Sequence, residues 1–282
     1  MTIREAMNQA TIKFKISNIE SPKLKARLLM QFILGQNRQY ILVYDEKKMT
    51  KEQQEKYFKN VEKIEKGIPL QHITHQQEFM KMNFYVNQEV LIPRPDTEIL
   101  VEEVINIAKK IKAKKILDLC TGSGAIAISL AKYIQDSQIT AVDISREALK
   151  IAKKNAKENG VAKQIVFLAS DLFKQVPKEK YDMIVSNPPY IKKEVIKTLQ
   201  KEVQNEPLMA LDGGWDGLDF YRKIIHQADE FLKYGGYLCL EIGYDQKIDV
   251  IDFIEQEEKY VDTYGKKDLY GNDRIIITKV GD

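Results

Sequence analysis

Between Lys114 and Leu168 the chain alternates short apolar runs with helix-patterned segments, and no other feature narrows the available folds as far. The runs at 116–120, 139–143 and 165–168 are short and rich in Ile, Val and Leu. The stretches at 125–133 and 146–159 have helical spacing, and Gly160 closes the second. Strand, helix, strand, helix, strand predicts a parallel sheet covered by helices, an α/β architecture. Thr121-Gly122-Ser123-Gly124 forms the sharp turn between the first strand and helix. Its glycines permit close approach of a ligand and leave the N–H groups of the helix start open to it. Asp143 ends the second strand roughly twenty residues after Gly124, where a carboxylate in this architecture accepts both hydroxyl protons of a ribose. Gly122-x-Gly124-x-x-Ala127 also fits the dinucleotide-binding fingerprint, so the turn and the acid alone leave the cofactor open.

Two later signals separate these readings. Ser170-Asp171-Leu172-Phe173 follows the third strand at the carboxyl edge, offering a polar contact and an apolar wall to an adenine ring. The fourth strand, 181–186, is stopped by Asn187-Pro188-Pro189-Tyr190. Two prolines fix φ near −65° and remove two backbone donors, so Asn187 and Tyr190 are held almost rigidly. The motif presents an amide oxygen, outward carbonyls and a flat ring, which suit a planar –NH2 group. A dehydrogenase would instead place a histidine, lysine or tyrosine there for acid–base work. The pattern suggests a ribose-bearing methyl donor facing an amino group.

With 282 residues, 44% hydrophobic and 30% charged, the chain has room for one α/β core and a smaller module. The first seventy or so residues read as helical. Ser21-Pro22 is a helix start with serine as the cap, followed by Ala26, Leu28, Leu29, Phe32 and Ile33 and ended by Gly35. Thr50 and Gln53 form a capping box for a helix carrying Tyr57, Phe58, Val61 and Ile64 on one face and stopping at Gly67. Phe79, Met82, Phe84 and Val86 belong to a hairpin-like stretch, and Pro93-Arg94-Pro95-Asp96 precedes a helix over 97–111. The expected organisation is a helical bundle at 1–75, a hairpin linker at 76–95 and a catalytic domain at 96–282. Cys120 and Cys239 lie in apolar runs and are expected to be reduced. His72 and His75 lack a third ligand nearby, so no metal is expected. A net charge of +3, from 44 basic and 41 acidic residues, argues against a phosphate-driven grip on nucleic acid. No stretch reads as a membrane span or secretion signal, so a cytoplasmic location is expected.

The sequence resembles the release-factor glutamine methyltransferase family (HemK/PrmC type) over nearly its whole length. The residues that carry the resemblance are Leu91 to Glu98 around Pro93-Arg94-Pro95, Leu117 to Ala127, Asp143, Asn187-Pro188-Pro189-Tyr190-Ile191, Glu206-Pro207, Leu240 to Gly243 and Asp273-Arg274. The resemblance implies a class I S-adenosylmethionine-dependent methyltransferase fold: Rossmann-like, mostly parallel, with an antiparallel last strand near 274–279, plus a small N-terminal helical domain that helps dock the substrate. It implies methyl transfer from S-adenosylmethionine, leaving S-adenosylhomocysteine, to the side-chain amide of the Gly-Gly-Gln glutamine in class I bacterial peptide chain release factors. No metal, stable nucleic-acid binding or membrane association is implied.

Carried over by residue, Cys120, Thr121, Gly122, Ser123 and Gly124 would cradle the methionine part of the donor. Asp143 would hold the ribose, Asp171 and Leu172 would border the adenine, and Asn187 would touch both donor and acceptor. Asn187, Pro188, Pro189 and Tyr190 would receive the glutamine, with Asn187, Pro188 and Tyr190 as the catalytic set and Tyr190 acting as a wall rather than an acid. Arg94 would contact donor or substrate or pair with a carboxylate, Glu241 would be a support residue, and the loop with Glu206, Asp212 and Trp215 would line the entrance or turn the chain. Asn187-Pro188-Pro189-Tyr190 alone also fits adenine-N6 and guanine-N2 nucleic-acid methyltransferases, which is the alternative function; a non-catalytic nucleoside-binding protein is a third. The chain departs from the family pattern at His72, His75 and Lys81, where tyrosine, glycine and glycine are commoner, and at Cys120, where glycine is common.

Overall fold

The computed structural model describes residues 1–281 and falls into two units, Met1–His75 with Leu199–Asn205, and the remainder. In the first unit, α1 (Ile3–Ile16) starts at a capping box. The Thr2 hydroxyl accepts from the Glu5 N–H at 3.2 Å, and the Glu5 carboxylate accepts from the Thr2 N–H at 2.8 Å. α2 (Pro22–Leu34) begins at Pro22 and ends at a left-handed Gly35 as expected, but Ser21 does not cap it. A capping side chain needs an extended backbone, and Ser21 sits at φ 50°, ψ 48°. α3 (Arg38–Val43) follows, then α4 (Lys51–Glu65), whose Thr50/Gln53 box closes at 3.1 and 2.9 Å, and α5 (Leu70–Thr74). Phe14, Leu29, Met30, Ile41, Tyr57, Val61 and Ile64 form the core of this unit, while Leu28 and Phe32 remain exposed on the other face of α2.

The second unit opens with the hairpin β1 (Gln77–Phe79) and β2 (Met82–Phe84), followed by α6 (Pro95–Ile111) with proline in its first turn. Then come β3 (Lys115–Leu119), α7 (Ala125–Tyr133), β4 (Gln138–Asp143), α8 (Arg146–Glu158), β5 (Ile165–Ala169) and β6 (Tyr181–Ser186). After β6 the chain passes to α9 (Lys201–Gln204) of the first unit, where Glu202 pairs with Lys25 at 2.6 Å. It returns for α10 (Asp219–Ala228), β7 (Leu232–Glu241), α11 (Lys247–Glu255), β8 (Tyr260–Lys267) and β9 (Asp273–Val280).

The seven-stranded sheet has the order β5-β4-β3-β6-β7-β9-β8. Only β9 runs against its neighbours, pairing antiparallel with both β7 and β8. This is the mostly parallel, class I methyltransferase-like sheet with an antiparallel last strand that the resemblance implies. Successive residues of the buried strands alternate between two cores. Ile116, Met183, Val185 and Cys239 pack with α6 and α7, while Leu117, Ile184, Leu238 and Leu240 pack with α10 and α11. Each buried Ile or Leu contributes about 1.5–3 kcal/mol, so both faces of the sheet are heavily stabilised. Register then aligns the functional ends: Leu119 pairs with Ser186 and with Val142, Asp143 with Ala169, and Ser186 with Leu240. The strand order reverses beside β3, the switch point where ligands of such sheets bind. Among the described residues no helix is long and apolar enough to cross a membrane.

Candidate active site

The turn after β3 is built around a buried carboxylate. Asp118 Oδ2 accepts from the Thr121 hydroxyl at 2.6 Å and from the Ala127 N–H at 3.2 Å, tying the strand end to the start of α7. Burial pushes the Asp118 carboxyl up to about 7, against the opposing pull of those two donors. Cys120 enters the turn at φ 60°, Gly122 follows at φ 54° and Gly124 at φ 83°. His75 and Lys81 are also left-handed, at φ 56° and 60°. Three of the four departures from the family pattern therefore sit where glycine is favoured, each costing about 1–2 kcal/mol in a side-chain-bearing residue. Burial also pushes the Cys120 thiol up, keeping it protonated.

Asp143 is fixed by its own backbone surroundings. Its Oδ2 accepts from the Gly122 N–H and its Oδ1 from the Ser145 N–H, each at 2.8 Å. Burial raises its pKa, and these N–H groups oppose the shift. After β5, the Ser170 hydroxyl donates to Leu172 O at 2.8 Å and accepts from the Gln175 N–H at 2.8 Å, which pins a loop holding Leu172 at φ 48°. Asp171 pairs with Lys174 at 2.6 Å.

After β6, the Ser186 hydroxyl donates to Leu119 O at 2.8 Å and locks the two strand ends together. Asn187 Nδ2 donates to the Thr97 hydroxyl at 3.2 Å. Pro188 and Pro189 are buried, and the Tyr190 carbonyl accepts from Gln246 Nε2 at 2.9 Å. The Tyr190 hydroxyl lies 3.5 Å from Glu241 Oε1, and burial raises its pKa, so it holds its proton. Glu241 is itself buried, with Oε2 unpartnered; burial pushes its carboxyl up to about 7, opposed by the Thr97 hydroxyl and the Arg274 guanidinium.

A cavity of about 290 Å³ joins these pieces. Cys120, Gly122, Asp143, Asp171, Leu172, Asn187 and Pro189 line it, whereas Thr121, Ser123, Gly124, Pro188 and Tyr190 do not. Ser123 instead holds the surrounding structure through its carbonyl, which accepts from Asn155 Nδ2 at 2.9 Å. The same asparagine accepts from the Tyr85 N–H at 2.7 Å and donates to Tyr85 O at 3.0 Å, fastening the segment whose Glu89, Val90 and Leu91 form one cavity wall. Another wall is Pro207, Met209 and Ala210, held by Glu206. The buried Glu206 carboxylate accepts from the Ile92 N–H at 2.9 Å and pairs with Arg94. Arg94 is thus a partner of a carboxylate, and Trp215 lies outside the cavity, 81% exposed.

The cavity suits a nucleoside-bearing methyl donor. A Cβ built at Gly122 meets no atom within 4 Å, and beside it Asp143 supplies a fixed acceptor at the cavity wall while Val142, Ile144 and Leu172 supply apolar surface. Asn155 and the wall residues Glu89 and Val90 carry no signal in the sequence that marks them as parts of a site, whereas Leu91 and Glu206 lie in stretches that carry the resemblance. No group of three or more His, Cys, Asp or Glu side chains among the described residues is placed to hold a metal ion.

Residues 95–214 match the family described as methyltransferase small domain, and residues 5–74 match the PrmC N-terminal domain. The chain is 39% identical over 279 residues to a release factor glutamine methyltransferase of Clostridium botulinum, covering 98% of each chain. It is 36% identical over 284 residues to one of Clostridium acetobutylicum, covering 100% of this chain and 99% of the relative. Its fold is similar to the crystal structure of a methyltransferase from Pyrococcus furiosus, with TM-score 0.53 and 19% identity over 72% of this chain and 91% of that one.

Proposed function

The chain belongs to the release factor glutamine methyltransferase family, and from that premise we propose how its cavity and the Asn187-Pro188-Pro189-Tyr190 strand end divide the work of the reaction. The protein is an S-adenosylmethionine-dependent methyltransferase that modifies the side-chain amide nitrogen of glutamine in peptide chain release factors. The observation that carries the site assignment is the meeting of Asp143, Gly122, Leu172 and Asn187 in one cavity.

In this reading Asp143 accepts from the ribose hydroxyls, Gly122 and its neighbours leave space for the methionine portion, and Leu172 with Asp171 borders the adenine. When bound, S-adenosylmethionine supplies a methyl group made electrophilic by its attachment to a sulfonium. The chain's own task is to make a poor nucleophile react. An amide nitrogen has a delocalised lone pair, so orientation and electrostatics must lower the barrier. Asn187 commits its NH2 to Thr97, leaving its carbonyl oxygen to accept an N–H of the incoming amide. The prolines that follow supply carbonyls on a rigid backbone for the second N–H. Tyr190 keeps its proton and serves as a wall. The first unit, residues 1–75 with 199–205, assists in docking the release factor, and the protein works in the cytoplasm with neither a metal nor stably bound nucleic acid.

Incubation with methyl-labelled S-adenosylmethionine and, in separate reactions, a release factor, the same factor with its Gly-Gly-Gln glutamine replaced, and DNA or RNA tests this function. Label is expected only on the unaltered factor. Label on nucleic acid, or equal label on the glutamine-less factor, contradicts it.

A further inference from the structure

Proline fixes φ but leaves ψ free and brings no N–H, so Pro188 and Pro189 cannot anchor their own carbonyls, and the segment must be held at its two ends. One end is β6, where Ser186 pairs with Leu119 and Leu240 and its hydroxyl donates to Leu119 O. The other end is Tyr190, whose carbonyl is held by Gln246, a residue 3% exposed at the start of α11. Both amide atoms of Gln246 are engaged. Nε2 donates to Tyr190 O at 2.9 Å and to Gly217 O at 3.1 Å, while Oε1 accepts from the Gly243 N–H at 2.9 Å. Carbonyls can only accept and an N–H can only donate, so these three partners admit one orientation of the amide. The fit is close on the far side as well: a Cβ at Gly217 would meet Tyr190 O at 2.5 Å and Gln246 Nε2 at 2.8 Å, and one at Gly213 would meet Tyr190 Cα at 2.7 Å. A polar side chain at a helix N-cap ordinarily caps its own helix, but that of Gln246 makes no cap and turns to the strand end instead.

We infer that Gln246 is a positioning residue for methyl transfer: it clamps the Tyr190 carbonyl and, with β6 at the other end, sets where the Pro188 and Pro189 carbonyls point. The inference rests on the reading of the strand end as the receiver of the substrate amide. The clamp also decides which carbonyls are available. Tyr190 O already has its donor, so the second N–H of the substrate falls to a prolyl carbonyl, and the amide nitrogen is held to one line of approach.

Three variants separate the clamp from general stability. Gln246→Met keeps length and volume but leaves both carbonyls and the Gly243 N–H without this partner. Gln246→Glu keeps the shape and the bond to Gly243, and offers at most one donor to the two carbonyls. Tyr221→Phe is the control for a lost buried hydrogen bond: it removes the hydroxyl that donates to Glu241 O at 2.9 Å and lies 3.4 Å from Gln246 Oε1, and it leaves the Tyr190 carbonyl held. Steady-state kinetics with a release factor, calorimetric titration of S-adenosylhomocysteine and thermal unfolding are measured on each full-length variant, and the crystal structure of Gln246→Glu is determined. Both Gln246 variants are expected to lose about 100-fold in kcat, the scale of a misplacement of about 1 Å, with KM for the factor and S-adenosylhomocysteine affinity nearly unchanged. Tyr221→Phe should unfold at a lower temperature and keep its kcat, and the Gln246→Glu crystal should show the Tyr190 peptide displaced. Wild-type kcat in a folded Gln246 variant, or an equal loss of kcat in Tyr221→Phe, overturns the inference. So does a loss that appears as weakened S-adenosylhomocysteine binding, or a Gln246→Glu crystal in which the backbone from Asn187 to Tyr190 has not moved. The crystal needs no turnover, so it tests the clamp apart from the reading beneath it, whose failure shows as wild-type turnover by Asn187→Ala.

Discussion

Asp143→Asn isolates donor binding from everything else at the site. The two carboxylate oxygens of Asp143 accept from two different backbone N–H groups, of Gly122 and Ser145, each at 2.8 Å. Asparagine has one oxygen, so its NH2 must face one of those donors or the bound ribose. The loss of one hydrogen bond to a charged acceptor is worth about 1.5–3 kcal/mol. Removing the charge offsets part of this in the free protein, because burial already disfavours the ionised carboxyl and raises its pKa. The ligand receives no such compensation. S-adenosylhomocysteine should therefore bind roughly 10- to 100-fold more weakly by isothermal titration calorimetry, while thermal unfolding of the free protein changes little. The wild-type affinity should also fall on acidification, beginning above the usual aspartate range, and the variant should not share that fall. An unchanged affinity for Asp143→Asn would refute the assignment of this carboxylate to the ribose.

Two further outcomes follow from the buried charges. Arg94→Ala leaves the Glu206 carboxylate, only 1% exposed, without its guanidinium, and should lower the unfolding free energy in urea by about 2–3 kcal/mol and loosen the cavity wall at 207–210; a loss as small as that of an exposed ion pair would contradict this. Asp118 and Glu241 both titrate near 7 when folded, above their ordinary values of 3.8 and 4.5, so the unfolded chain releases these protons first as pH rises. Stability should decline from about pH 4 to pH 7 and level off above it, and Glu241→Gln should remove its share of that decline, on the order of 3 kcal/mol, when urea unfolding is compared at pH 5 and pH 8. An equal decline in the variant would refute the assignment of that share to Glu241.

The catalytic core was legible where periodicity and punctuation agree. The strands and helices from Lys115 to Ser186 announce themselves by apolar runs, a glycine turn and a double proline, and parallel pairing then brings Gly122, Asp143 and Asn187 to one edge. What stayed hidden depends on backbone angles or on distant pairs. Ser21 has the right side chain for a cap but a left-handed backbone. His75, Lys81 and Cys120 are left-handed without being glycine, and only their departure from the family's glycines, not their own side chains, points to it. Glu206 holds Arg94 across 112 residues and Thr97 holds Asn187 across 90, so neither partner predicts the other from spacing. Capping at Thr50 and Gln53, in contrast, was written in the sequence as a capping box.

The site assigned to Asn187 is tested most directly by fragment mapping of a release factor after incubation with S-adenosylmethionine and either the wild type or Asn187→Ala. One methyl group is expected on the side-chain nitrogen of the Gly-Gly-Gln glutamine with the wild type, and almost none with Asn187→Ala although that variant still binds S-adenosylhomocysteine. A methyl group on another residue, or the same glutamine methylated equally by both proteins, would contradict it.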